Sequence, residues 1–183
     1  MVTILDKTFG TFIDADQIAT KVAELGTQIS ADYADLNPLL VPVLNGAFVF
    51  AADLIRHITC PAEVSFIKVA SYEMMESRGE IEEILGISED IAGRHILLVE
   101  DIVDTGLTMQ EVVKNFKYLQ PASVHVVSLL VKPESMKGHV PLRYIGFNIG
   151  PDFVVGYGMD YDGQGRNLPA IYKLAEPSTL AAD

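Results

Sequence analysis

Three segments of this chain are apolar without alternation, and no other feature restricts its fold as much. They are Leu39 to Leu44 (Leu-Leu-Val-Pro-Val-Leu), His95 to Val99 with Ile-Leu-Leu-Val at its centre, and Val124 to Val131. A strand with one face in water alternates apolar and polar residues, whereas a strand apolar throughout must be covered on both faces. Helical segments lie between these runs: Ala47 to His57, behind an Asn45-Gly46 turn, and about Leu107 to Leu119, with Val112, Val113 and Phe116 apolar. The pattern predicts an α/β fold, a mostly parallel central sheet flanked by helices. Glu63 to Ala70 adds a further strand and Ser71 to Glu83, polar and charged around Gly79, a loop. An N-terminal helix, capped by Asp14 or Asp16, repeats Ile18, Val22, Leu25 and Ile29 along one face. After Lys132 come short strands, Arg143 to Asn148, Phe153 to Gly156 and Ala170 to Leu174, separated by Gly-rich turns. They finish the sheet or build a small β lobe over it.

Length and charge narrow the function. The 183 residues fit about one domain of ~150 residues plus a modest lobe. Against 13 Lys and Arg stand 25 Asp and Glu, a net charge of −12. That balance excludes a general nucleic-acid binder and adsorption to an anionic membrane. It leaves room for one small phosphorylated ligand, which backbone amides and a magnesium ion can neutralise locally. The longest apolar stretch, Leu39 to Ile55, is broken by Pro42, Asn45, Gly46 and Asp53, so a strand and helix explain it better than a membrane span. Met1 to Gly10 has no apolar block, so no signal peptide is expected, and the single Cys60 excludes an intrachain disulfide. A cytoplasmic, reducing compartment fits. His57, His95, His125 and His139 lack metal-ligand spacing.

The chemistry concentrates in His95-Ile-Leu-Leu-Val-Glu-Asp-Ile-Val-Asp-Thr-Gly-Leu-Thr-Met109. A buried strand ends in Glu100 and Asp101, Asp104 follows, and Thr105-Gly106-Leu107-Thr108 opens a helix. Ligands of open α/β sheets bind beyond the carboxyl ends of the strands. A helix N-terminus offers unpaired amides to an anion, and Gly106 lets the backbone close on a phosphate. The carboxylates cannot serve that phosphate directly, so a divalent ion or sugar hydroxyls must stand between. Asp and Thr after a strand are common helix caps. The combination within nine residues of an acid pair, a third acid and two hydroxyls around a glycine points to chemistry instead.

Val99-Glu-Asp-Ile-Val-Asp-Thr-Gly-Leu-Thr108 resembles the phosphoribosyl diphosphate (PRPP) signature of the type I phosphoribosyltransferases. Val43-Leu-Asn-Gly-Ala47, Ser71-Tyr72, Leu130-Val-Lys132 and Phe153-Val-Val-Gly-Tyr157, continuing through Asp160 to Arg166, resemble the hypoxanthine(-guanine) branch, over about Leu39 to Tyr172. The resemblance implies that family's fold, one domain over residues 1–183 whose small hood takes the N- and C-terminal segments. It implies purine salvage: transfer of 5-phosphoribosyl from PRPP to hypoxanthine, and to guanine, giving IMP or GMP and pyrophosphate, with Mg2+ as cofactor, in a homodimer or homotetramer. By the same resemblance Glu100 and Asp101 hold the ribose hydroxyls or the metal, which Asp160 joins. Asp104, Thr105, Gly106, Leu107 and Thr108 hold the 5-phosphate, with Ile102 and Val103 beside them. Asp104 is the general base, a buried carboxylate among acids having a raised proton affinity. Lys132 donates to the 6-oxygen of the base, Phe153 stacks on it, and the Val154 backbone reads its edge. Arg166 binds pyrophosphate, as does the loop Leu44, Asn45 and Gly46, where members carry a cis non-proline peptide. Many members have Lys where this chain has Asn45, so here the loop offers amides and no cation. Ser71 and Tyr72 open the family's lid. Two alternatives share the fold: an RNA-binding, nucleotide-sensing regulator, for which the chain has no long basic run, and a transferase for another base.

Overall fold

The three nearly continuous apolar runs become the central strands of one sheet. The computed structural model describes residues 1–69, 83–87 and 89–175. In chain order these form β1 (Val2–Ile4), β2 (Lys7–Ile13), α1 (Ala15–Asp32), β3 (Leu39–Leu44), α2 (Phe48–Arg56), β4 (Glu63–Val64), β5 (Ile67–Val69) and β6 (Glu83–Leu85). There follow β7 (His95–Val103), α3 (Leu107–Tyr118), β8 (Ser123–Val131), β9 (Leu142–Asn148), β10 (Val154–Val155) and β11 (Ile171–Leu174). Among the described residues the larger sheet has the order β6-β5-β3-β7-β8-β9, with β4 also beside β3. Its pairings are parallel except that of β5 with β6.

Alternate residues of the central strands enter opposite halves of the core. Val41, Leu98 and Val126 join Met109, Val112, Val113 and Phe116 of α3. Leu40, Leu97 and Val127 join Ile18, Val22, Leu25 and Ile29 of α1 and Phe50 and Leu54 of α2. Each large side chain contributes roughly 1.5–3 kcal/mol on burial, so this double layer outweighs any single polar contact in holding the fold. Asp14 caps α1: its carboxylate accepts from Gln17 N at 2.8 Å while Gln17 Oε1 accepts from Asp14 N at 3.0 Å.

The alternation breaks where the site begins. Ile102 packs on the α1–α2 side and Val103 on the α3 side, the reverse of the order set by residues 96–99. Leu130 and Val131 of β8 are reversed likewise, beside a 2.6 Å hydrogen bond from Ser128 Oγ to Leu130 O. Two neighbouring strands change phase together, so their pairing survives while the side chains at their carboxyl ends are re-aimed.

Several boundaries differ from the sequence expectation. The strand expected over Glu63 to Ala70 is divided into β4 and β5, which meet opposite ends of β3 on either side of Ser65 and Phe66. The strand expected to stop at Val99 continues to Val103, because β8 pairs with it through Glu100↔Ser128 and Val103↔Val131. The short strands after Lys132 divide between both possible fates. β9 finishes the large sheet, while β10 and β11 join β1 and β2 in an antiparallel sheet of order β1-β2-β11-β10. The β1–β2 hairpin was not expected, although its Val, Ile, Thr and Phe content favours strands.

Candidate active site

The carboxyl end of β7 and the start of α3 enclose a cavity of about 240 Å³, lined from Glu100 through Gly106 and by Val43, Leu44, Gly46, Val69, Thr108 and Met109. Gly106 sits at φ +75 and begins α3 without any side-chain cap. The nearest candidate, Thr105 Oγ1, stands 3.5 Å from Leu107 N. The turn is instead braced from behind, where Lys137 N and Gly138 N donate to Thr105 O at 2.9 and 3.1 Å. Apart from that long contact to Leu107 N, the first-turn amides are free of side-chain acceptors, the condition for an anion site. Beside them lies a buried acid pair, one member of which is unsatisfied. Glu100 Oε2 is buried with no hydrogen-bond partner. Burial, with the neighbouring Asp101 charge, lifts its carboxyl well above the usual range. Asp101 is only 9% exposed, and burial pushes it up to about 6 against bonds from its own backbone and Ile102 N.

A second cavity of about 240 Å³ shares Asp101, Ile102 and Asp104 with the first and adds Lys132, Phe153, Val154, Met159 and Asp160. Lys132 ends β8, where its amide donates to Val103 O at 2.9 Å. Its ammonium is buried and pairs with Asp104 Oδ2 at 2.7 Å. Phe153 is 46% exposed, backed by Phe9 and Tyr161 with ring centroids 6.3 and 5.9 Å away. One wall is thus a flat, accessible aromatic face and another a buried cation.

The third wall is a stack of backbone turns. The Leu44–Asn45 peptide is cis. A Cβ on Gly46 would overlap the Asp101 carboxylate, and one on Gly158 would overlap Gly46 O, so both contacts require glycine. Arg166 donates to Gly158 O at 2.8 Å and pairs with Asp160 Oδ1 at 2.6 Å, while Asp160 Oδ2 accepts from Gly163 N at 2.7 Å.

A model of the phosphoribosyl transferase domain matches residues 11–162. The chain belongs to the phosphoribosyltransferases. It is 42% identical over 160 residues to the hypoxanthine-guanine phosphoribosyltransferase of Bacillus subtilis, covering 87% of this chain and 89% of that one. The crystal structure of a hypoxanthine-guanine phosphoribosyltransferase from Bacillus anthracis, with HEPES in its active site, matches with a TM-score of 0.86 at 37% identity, over 93% of this chain and 99% of that one. The hypoxanthine phosphoribosyltransferase of Trypanosoma cruzi in complex with the product IMP matches with a TM-score of 0.85 at 34% identity, over 96% and 98%. The parallel sheet with flanking helices is the type I phosphoribosyltransferase fold, and the enzyme is a pentosyltransferase.

Within this enzyme most of the residues singled out from sequence meet around the two cavities. Leu44, Gly46, Glu100, Asp101, Ile102, Val103, Asp104, Thr105, Gly106 and Thr108 line the first, and Lys132, Phe153, Val154 and Asp160 the second. Asn45 and Leu107 are exposed outside that lining, and Arg166 reaches the site only through Asp160 and Gly158. Ser71 and Tyr72 lie outside the described residues. One expectation is corrected: Asp104 is not the buried acid. Its side chain is 48% exposed and ion-paired. Burial falls on Glu100 and Asp101, which stay inside the strand instead of following it. Val43, Val69, Met109 and Met159, not among the site residues expected from sequence, also line the cavities. Their apolar types give no signal that separates lining from core.

Proposed function

We propose that this phosphoribosyltransferase transfers the 5-phosphoribosyl group of PRPP to hypoxanthine, and to guanine, giving IMP or GMP and pyrophosphate in purine salvage. The observation that supports this most is the shared edge of the two cavities. One offers uncapped helix amides and carboxylates, suited to a sugar phosphate; the other offers an aromatic face and a buried ammonium, suited to a flat base with a carbonyl oxygen. Asp104 stands between them. In the reaction the bond from the anomeric carbon to pyrophosphate breaks, a purine ring nitrogen bonds to that carbon, and the nitrogen's proton passes to Asp104. Lys132 has three donors and no acceptor, so it can keep one on Asp104 and give another to the 6-oxygen. An adenine amino group cannot accept from it.

Thr105, Gly106, Leu107 and Thr108 hold the 5-phosphate, flanked by Ile102 and Val103. Leu44, Asn45, Gly46 and Arg166 face pyrophosphate. Glu100 and Asp101 take the ribose hydroxyls, whose donors would satisfy the orphaned Glu100 Oε2. Glu100, Asp101 and Asp160 are the groups that would hold magnesium. Among the described residues no three acidic, His or Cys side chains converge to cage a cation. The ion would therefore need substrate oxygens and water to complete its shell. When bound, it neutralises charge on the departing pyrophosphate.

Residues 1–183 act as one domain, with the four-stranded sheet as its hood. A cytoplasmic homodimer or homotetramer fits the exposed apolar side chains Phe48, Val64 and Phe66 around a groove of about 300 Å³. Among the described residues, no helix is long and apolar enough to cross a membrane. The test is to mix the protein with PRPP, magnesium and each of four purine bases. Hypoxanthine should yield IMP and pyrophosphate. No turnover with hypoxanthine, guanine or xanthine would sink the proposal.

A further inference from the structure

We propose that Tyr157 and Asp53 are positioning residues for the diphosphate-binding side of the site, an inference that rests on the reaction proposed above. Neither lines the two cavities where reactants meet. Asp53 lies on α2, the helix that directly follows the Asn45-Gly46 loop, and its Oδ2 accepts from the Tyr157 hydroxyl at 2.6 Å. Its other oxygen accepts from Arg56 at 2.8 Å, which holds the carboxylate in place. Tyr157 is buried, and burial with the Asp53 bond raises its phenol far above the usual range, so it stays a donor.

The residue occupies φ +48, a region that side chains other than glycine adopt at a cost. Such a conformation persists only where surroundings hold it. Here Tyr157 N donates to Leu168 O at 2.9 Å at one end of the residue, and the hydroxyl is tied to α2 at the other. The turn so held meets the Gly46 loop and carries Asp160 and Arg166. Gly158 lies against Gly46 O, and Gly46 against the Asp101 carboxylate. Gly158 N donates to Arg166 O at 3.0 Å, and the Arg166 guanidinium donates back to Gly158 O at 2.8 Å and pairs with Asp160. One hydrogen bond between helix and turn therefore sets where Arg166, Asp160 and the Gly46 amide stand relative to one another. The purine wall takes its cation and its ring from elsewhere, Lys132 just after β8 and Phe153 packed on Phe9 and Tyr161, and meets the turn at Met159 and Asp160.

This division predicts a selective defect. Tyr157→Phe removes the hydroxyl alone. Steady-state kinetics should show the KM for PRPP, and that for pyrophosphate in the reverse direction, rising about 3- to 10-fold, the worth of one buried hydrogen bond. The KM for hypoxanthine should move less than about twofold. Asp53→Ala should reproduce the defect, and Asp53→Asn, which keeps an acceptor for the phenol, should largely restore it. The double variant Tyr157→Phe/Asp53→Ala should be no worse than either single variant, because both delete one bond. A bond that serves stability alone would lower the Tm and leave the KM values unmoved; that result, or an equal rise for hypoxanthine, overturns the proposal. Wild-type enzyme labelled with 13C at tyrosine Cζ covers variants that fail to fold. Its Tyr157 signal should shift with pyrophosphate and not with hypoxanthine, and a signal unmoved by pyrophosphate overturns the proposal as well. Wild type inert toward PRPP and hypoxanthine would instead refute the reaction itself.

Discussion

Strands β7, β8 and β9 carry polar groups at both ends and treat them in opposite ways. At their amino ends the protein answers its own groups. Asp32 accepts from the Tyr144 hydroxyl at 2.6 Å and from Arg143 at 3.0 Å, Tyr33 Oη lies 3.1 Å from His125 Nδ1, and His95 Nδ1 lies 2.8 Å from Ser123 Oγ. The Arg143 guanidinium sits 5.5 and 5.6 Å from the Tyr33 and Tyr144 ring centres. The bond from Tyr144 holds the Asp32 carboxyl below its ordinary value. At the carboxyl ends Glu100 keeps a buried oxygen without a partner, Asp101 titrates near 6, and α3 starts uncapped. Buried polar atoms are nearly always satisfied. A cluster that is not suits partners supplied from outside, as the substrate of the proposed reaction would supply them. One end of the sheet is therefore built for stability and the other for binding, at a cost in stability.

Substitutions at the two ends should separate these roles. The largest effect belongs to Asp104→Asn, which removes the proposed proton acceptor and should lower kcat by roughly 10²–10⁴; unchanged turnover would remove Asp104 from that role. Lys132→Ala should lower kcat/KM for hypoxanthine by about 10–100-fold, the value of a hydrogen bond from a charged donor, and weaken selection for 6-oxopurines. An unchanged base preference in a competition assay would assign the ammonium to Asp104 alone.

Asp101→Asn tests the cost. Because burial raises the folded Asp101 carboxyl to about 6, wild type loses stability on its account as pH rises from roughly 4 through 6, a share the variant lacks while it keeps that of Glu100. Above pH 6 the variant should be more stable by ~1–3 kcal/mol in denaturant titrations and weaker toward PRPP. The advantage should vanish near pH 4. The same titration makes wild-type KM for PRPP rise as pH falls through about 6. The smallest effect is expected from Tyr144→Phe at the opposite end, about 1 kcal/mol of stability with every KM unmoved. A shift in KM there would show that the two ends are not independent.

Much of this was legible from residue order. The apolar runs required a doubly covered parallel sheet, and they become its adjacent central strands β3, β7 and β8. The spacing of Ile18, Val22, Leu25 and Ile29 set the buried face of α1. The acid-rich turn before α3 pointed to the candidate site, and that turn lines a cavity at the carboxyl end of β7. The β1–β2 hairpin was missed because Asp6-Lys7 and Gly10 interrupt its pattern, and its pairing with β11 joins residues far apart in sequence.

Local sequence by itself determined which strands are buried, where the phosphate-type turn lies, and which residue types stand there. Tertiary structure decided how each of those residues behaves. Asp104 became the exposed, paired acid and Glu100 and Asp101 the buried ones, because β8 extends β7 past them and a joint phase change re-aims their neighbours. Proton affinity, ion pairing and the Tyr157–Asp53 bond depend on distances between segments far apart in sequence, 104 residues for that bond and 112 for Asp32 and Tyr144. Sequence order sets what a chain can pair locally; desolvation and charge are set by what the fold brings alongside.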